Sequence, residues 1–207
     1  MYRYALGGIV LLYALVIAMP AWLLGLANVA ILGGLVVLLV NSRRYGRRWS
    51  AWVAAAVGAM LVGSGLAAVA GSEAARDVTT SASTAVLVGA TIALIGSSVV
   101  RSPEVDGAVM MMVLSVYLLL ALLFAAIHNL GVTFQPHYLR GVGEPPTPSD
   151  TLYFSVVTLT SIGFGDIVPG GNLARAVTVV EALVGQLFLV SVVAVSVSRF
   201  RPRRQSR

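Results

Sequence analysis

Long apolar runs alternate with short breaks that carry the charges. A helix rises about 1.5 Å per residue and the hydrocarbon layer of a bilayer is about 30 Å thick, so one crossing takes roughly 20 apolar residues. Six runs fit that length: 4–19, 21–40, 51–70, 79–100, 107–130 and 172–198. The first is short and meets Pro20 at once, so the first two runs are expected to form a hairpin. A further apolar stretch, 149–160, would cover only about 18 Å as a helix. It reads as a re-entrant helix that enters the membrane and turns back. Non-helical backbone at that depth is tolerated only where protein buries it or water lines it. The pattern predicts an all-α membrane protein of six transmembrane helices plus the re-entrant helix. It divides into a four-helix domain, 1–104, and a second domain, 105–207.

Composition agrees with that class. Of 207 residues, 58% are hydrophobic and 11% charged, against about 25% charged in a soluble domain. The absence of cysteine excludes disulfides, thiol chemistry and Cys-based metal sites. The first run follows Arg3 and could pass for a secretion signal, but Pro20 and the lack of a small-x-small pattern favour an uncleaved span. The basic residues are all arginine and the net charge is +6. Their arrangement speaks for membrane orientation, not for nucleic acid. In a six-span chain, Arg3, Arg43, Arg44, Arg47, Arg48, Arg101 and the tail arginines from Arg199 to Arg207 share one side. Arg76, Arg140 and Arg175 fall on the other. The richer side is expected to be cytoplasmic, with both termini inside and the re-entrant segment open to the outside. The basic tail is a positive-inside anchor; contact with anionic membrane lipid is its sharper reading. Arginine-only usage and compact loops point to a bacterial inner membrane.

The candidate chemistry lies at Thr158-Leu-Thr-Ser-Ile-Gly-Phe-Gly-Asp166. A pore that strips water from a small cation needs carbonyl oxygens aimed at the ion. Aiming successive carbonyls alike requires backbone angles that glycine adopts cheaply. Gly163 and Gly165 supply that freedom, and the Ser161 hydroxyl adds one more oxygen. Pro148, Ser149 and Asp150 read as a helix start, with Ser149 or Asp150 as N-cap. The carboxyl end of this helix then lies near Thr160, where its partial negative charge favours a cation.

The run Asp150–Asp166 resembles the pore signature of the potassium-channel family, commonly T-x-T-T-V-G-Y-G-D. The resemblance covers the C-terminal half. It implies that K+ is the conducted ion, coordinated by Ser161, Ile162, Gly163 and Phe164, with Gly165 completing the filter. It also implies a homotetramer, because the family surrounds one axis with four such modules and this chain has one. Thr158, Thr160, Asp166, Tyr153 and Phe154 would support the filter. Ser161 stands where threonine is usual, Ile162 replaces a valine, and Phe164 replaces a tyrosine. Phe154 stands at the position of a tryptophan that bonds to that tyrosine, so an apolar Phe154–Phe164 contact is expected instead. Tyr153 is expected either to donate to Asp166 behind the filter or to pack at an interface with a wet hydroxyl. Gly185 stands where the family often has a hinge; close helix packing is the other reading.

Glu181 is an acid deep in an apolar span, where charge is expensive. A structural hydrogen bond and a role in gating are both open. His128, near a helix end, is expected at the membrane interface. His137 is expected either as a solvated loop residue or as a sensor of external pH. The six-span plan resembles a voltage-gated channel, but Val78–Val100 contains no arginine or lysine. A conventional voltage sensor is therefore not expected, and the first four spans read as a scaffold. Polar residues at 79–84 are expected to bond between helices. The expected function is a potassium-selective channel without conventional voltage gating. A weakly selective cation channel on the same scaffold is the alternative that Ser161 and Phe164 keep open. Related transporters carry four filter repeats in one chain, and this chain has one. No catalytic constellation converges, so neither an enzyme nor an organic cofactor is expected.

Overall fold

The computed structural model describes residues 2–18, 73–100 and 107–199. In chain order these form α1 (Tyr2–Ala18), α2 (Glu73–Val100), α3 (Gly107–Phe134), β1 (Leu139–Arg140), α4 (Pro148–Leu159), β2 (Val168–Pro169) and α5 (Asn172–Arg199). The expected spans 21–40 and 51–70 and the end of the basic tail lie outside the described residues. Among the described residues, α2, α3 and α5 are long and apolar enough to cross a bilayer. The other helices are shorter: α1 has 17 residues and α4 has 12.

Two boundaries move. α2 starts at Glu73, ahead of the expected 79, and so takes Arg76 into its first turns. α3 runs on to Phe134. The loop after it is not wholly irregular, because Leu139 pairs with Pro169 and Arg140 with Val168 in an antiparallel register. Strands of two residues are too short to leave a periodic trace in sequence.

α3 is the central element. It packs against α1, α2, α4 and α5. Ile9 and Leu12 of α1, Leu87 and Ile95 of α2 and Leu119 of α3 share one buried cluster. In lipid, apolar burial does not by itself drive helices together, so packing and hydrogen bonds decide which face turns inward. The buried face of α3 accordingly includes Ser115, Ala121, Ala125, Ala126, His128 and Gly131. A Cβ on Gly131 would overlap the ring of Tyr138, so glycine lets the loop ring lie close against the helix.

α4 is tied to α3 by side chains that reach main-chain or amide oxygens. Tyr117 donates to Leu159 O (3.2 Å), Ser155 approaches Ala121 O (2.7 Å), and Thr151 donates to Asn129 Oδ1 (3.0 Å). The expected bonds between α2 and its neighbours are not what Thr79 makes. It donates to Ala75 O of its own helix (2.7 Å), the back-bond that a hydroxyl commonly makes in a helix.

Candidate functional site

The N-cap of α4 falls two residues before the nearer of the two expected positions. Thr147, not Ser149 or Asp150, is the N-cap. Asp150 N donates to Thr147 Oγ1 (3.3 Å) and Thr147 N donates to Asp150 Oδ2 (2.8 Å). This reciprocal pair is a capping box, and Pro148 fills the first helical position, where no N–H is needed. Asp150 is thus the third residue of the helix, and its carboxylate also suits the positive end of the dipole.

At the other end the chain folds back on the helix. Ile162 N (3.0 Å) and Gly163 N (3.3 Å) both donate to Val157 O, and Ser161 N donates to Thr158 O (3.0 Å). The Thr160 hydroxyl bonds back to Val156 O (2.7 Å). The backbone then alternates: φ is 59° at Ser161, 56° at Gly163 and 79° at Gly165, with no positive φ at Ile162 or Phe164. Nothing lies near a Cβ built on Gly163 or Gly165, so conformation and not space calls for glycine there. Sequence reading assigned this freedom to the two glycines alone. Ser161 is a third left-handed position, held at a cost of about 1–2 kcal/mol for an L-residue. Residues 161–166 are all exposed in the single chain.

The aromatic support is rearranged. Phe154 does not turn toward Phe164. It is buried with Tyr138, Leu139 and Ala174, and meets the His128 ring edge-on at 5.0 Å. Tyr153 takes the other role: its ring stacks on Phe164 (centroids 6.5 Å apart, 7° between planes) and its hydroxyl donates to Asp166 Oδ2 (2.7 Å). That bond holds the Asp166 carboxyl below the ordinary carboxylate range. The reason for the swap is direction. Successive residues on a helix point about 100° apart, so Tyr153 and Phe154 cannot both face the turn.

Behind α4 lies a buried polar cluster that spacing did not reveal. His128 is fully buried in α3. Its Nε2 lies 2.9 Å from Glu181 Oε2, and its Nδ1 lies 3.1 Å from the Tyr138 hydroxyl. The other Glu181 oxygen contacts Ser155 Oγ. Glu181 is fully buried as well, so its structural hydrogen bonds are made inside one chain. Burial pushes the Tyr138 hydroxyl up to about 12. His128 and Glu181 are 53 residues apart, and only the α3–α5 packing joins them.

Gly185 is buried, and a Cβ there would overlap Leu159 O. Close packing of α5 on the carboxyl end of α4 is thus sufficient reason for glycine. His137 is exposed and pairs with Glu144 at 2.5 Å.

Residues 111–201, from α3 through α5, match a family described as ion channels. A stretch of 57 residues is 38% identical to the inward rectifier potassium channel Kirbac3.1 of Paramagnetospirillum magnetotacticum. It covers 28% of this chain and 19% of that protein. No solved structure gives a significant match. Residues 111–201 thus resemble an ion-channel domain rather than an enzyme fold, and they include two of the helices long and apolar enough to cross a membrane.

Proposed function

We propose that four copies of this chain surround one axis and conduct potassium passively through a filter built from Ser161, Ile162, Gly163, Phe164 and Gly165. The alternation of left-handed backbone at 161, 163 and 165 carries this reading. Such alternation aims successive carbonyls to one side, which is what a dehydrated cation requires. The carboxyl end of α4 points into the same turn and adds negative potential. K+ is the conducted substrate, and similarity to a potassium channel over part of the chain favours it over other cations. Phe164 lacks the hydroxyl usual at its position, which keeps a weakly selective pore as the second reading.

Assembly is supported by what a single chain leaves uncovered. Ile162 and Phe164 are exposed, and Val180, Leu183, Leu187 and Val190 form one exposed stripe on α5. Filter backbone at membrane depth needs protein around it, and neighbouring copies supply that protein. The domain 1–104 serves as a scaffold and 105–207 as the pore. α2 carries one arginine, Arg76, near its amino end, so it has no ladder of charges to move in a field.

Purified protein in liposomes with a potassium gradient tests this. Flux that barium blocks and sodium does not carry is expected, from a particle with the mass of four chains. Equal sodium and potassium flux would select the weakly selective reading. A stable monomer would overturn both.

A further inference from the structure

We propose that Tyr138, His128, Glu181 and Ser155 form an uncharged, one-directional relay of hydrogen bonds that ends on Ala121 O and positions α4 behind the filter. Its positioning role rests on the reading of 161–165 as the filter.

The argument counts hydrogens. A carbonyl oxygen only accepts, and a serine hydroxyl has one hydrogen to give. Ser155 Oγ lies 2.7 Å from Ala121 O, so that hydrogen belongs to this contact. Ser155 Oγ also touches Glu181 Oε1. Two oxygens in contact need a hydrogen between them, and the one left to supply it is on Glu181. Glu181 is therefore the neutral acid, protonated on Oε1. Its Oε2 is then a carbonyl oxygen, and His128 Nε2 at 2.9 Å donates to it. The neutral imidazole leaves Nδ1 bare, 3.1 Å from the Tyr138 hydroxyl, which donates. Each hydrogen has one acceptor and none is left over.

The charged alternative fails the same count. An imidazolium would put a hydrogen on Nδ1 and force Tyr138 to find another acceptor. A Glu181 carboxylate would claim the Ser155 hydrogen and leave Ala121 O facing a lone pair. Two ions would also be desolvated in a fully buried site, a cost that pairing often fails to offset. Among the described residues, the remaining titratable neighbours are neutral phenols with partners of their own. Tyr13 of α1 donates to Leu118 O (2.7 Å), and Tyr117 of α3 donates to Leu159 O (3.2 Å).

The relay joins the elements that frame the candidate filter. Tyr138 precedes β1, whose partner β2 follows the filter turn. Gly170 N donates to Tyr138 O (2.8 Å), so one residue holds both the outer loop and the relay. His128 belongs to α3, Ser155 to α4 and Glu181 to α5. Phe154 packs its ring against the His128 edge and fixes the rotation of α4. These are positioning residues and touch no ion.

The test uses the full chain in liposomes. It has two histidines, so nitrogen-15 labelling of histidine with and without His137→Asn assigns His128. The expected spectrum at neutral pH shows Nε2 protonated and Nδ1 bare. The infrared spectrum at neutral pH should contain a carboxylic-acid C=O stretch that Glu181→Gln removes. Glu181→Gln keeps both relay bonds at this position, because one amide N–H donates to Ser155 and the amide oxygen accepts from His128; it adds one N–H that the acid lacks. It should retain most of the potassium flux and selectivity, whereas Glu181→Leu should lose them. A doubly protonated His128 at neutral pH, no band lost in Glu181→Gln, or Glu181→Gln as damaging as Glu181→Leu would overturn the relay. If Glu181→Leu does not fold, the spectra of wild type and Glu181→Gln still decide. Expected spectra from a protein that passes no potassium would instead overturn the channel reading and leave the hydrogen-bond assignment standing.

Discussion

The two sides of α4 are finished to different degrees. On the side facing α3 and α5, Ser155, His128 and Glu181 are fully buried and each meets a partner within the same chain. On the other side, Tyr153 is half-exposed and the turn from Ser161 to Asp166 is exposed throughout. The same contrast separates the long helices: half of the apolar window of α3 is buried inside the chain (50%), against 11% of that of α5. One side is settled by folding; the other is left open to the neighbouring copies proposed above. Damage to the first should show as instability of the chain, and damage to the second as loss of assembly and conduction.

The largest effect should come from Gly163→Ala. The added methyl has open space in one chain, so it attacks conformation alone, at about 1–2 kcal/mol per copy. Potassium flux should vanish while the helix content of the chain by circular dichroism stays unchanged. Loss of helix together with flux would show that the exposed side also holds the chain's own fold.

Ser155→Ala should strike the opposite side. It deprives a fully buried Glu181 of a partner, and an unsatisfied buried polar group costs about 1–3 kcal/mol. Thermal unfolding in detergent should move down accordingly, and Ser155→Thr should recover part of the loss by restoring the hydroxyl. An unchanged transition in Ser155→Ala would mean that this side is less finished than its contacts imply.

Thr147→Ala is a smaller cut, made at the helix's own end. Loss of the cap should cost about 1 kcal/mol. Asp150→Asn keeps a side-chain acceptor for Thr147 N and should cost less. Equal losses in the two variants would show that charge at the helix start outweighs the cap.

How much of this was legible in the sequence depends on the kind of signal. Apolar runs gave α2, α3 and α5 within a few residues, because length in a membrane is set by thickness. They could not say which face of α3 is buried, since apolar residues suit lipid and protein alike. The cap was in plain sight as Thr147-Pro-Ser-Asp150, yet the turn-forming Pro148 and Ser149 drew the start past it. His128 and Glu181 could not be paired from spacing, because only tertiary packing joins residues so distant in the chain. At Gly163 and Gly165 residue type announced the backbone. At Ser161 it did not, because nothing in a serine signals a left-handed φ.

The finest cut separates the two sides at a single ring. Tyr153 touches the exposed turn twice, by its stack on Phe164 and by its bond to Asp166. Tyr153→Phe keeps the stack and removes the bond. Both partners of that bond are solvent-exposed in one chain, so the unfolding transition of the chain should not move. The effect should appear in the turn alone, as altered ion occupancy and faster decay of potassium current. Tyr153→Ala removes the stack as well and should act more strongly in the same direction. If Tyr153→Phe left occupancy and decay unchanged while Tyr153→Ala altered both, the stack on Phe164 would be the support and the bond to Asp166 incidental. If both left the current unchanged, support for the turn would have to come from the neighbouring copies, and the exposed side would be less complete in one chain than even these contacts suggest.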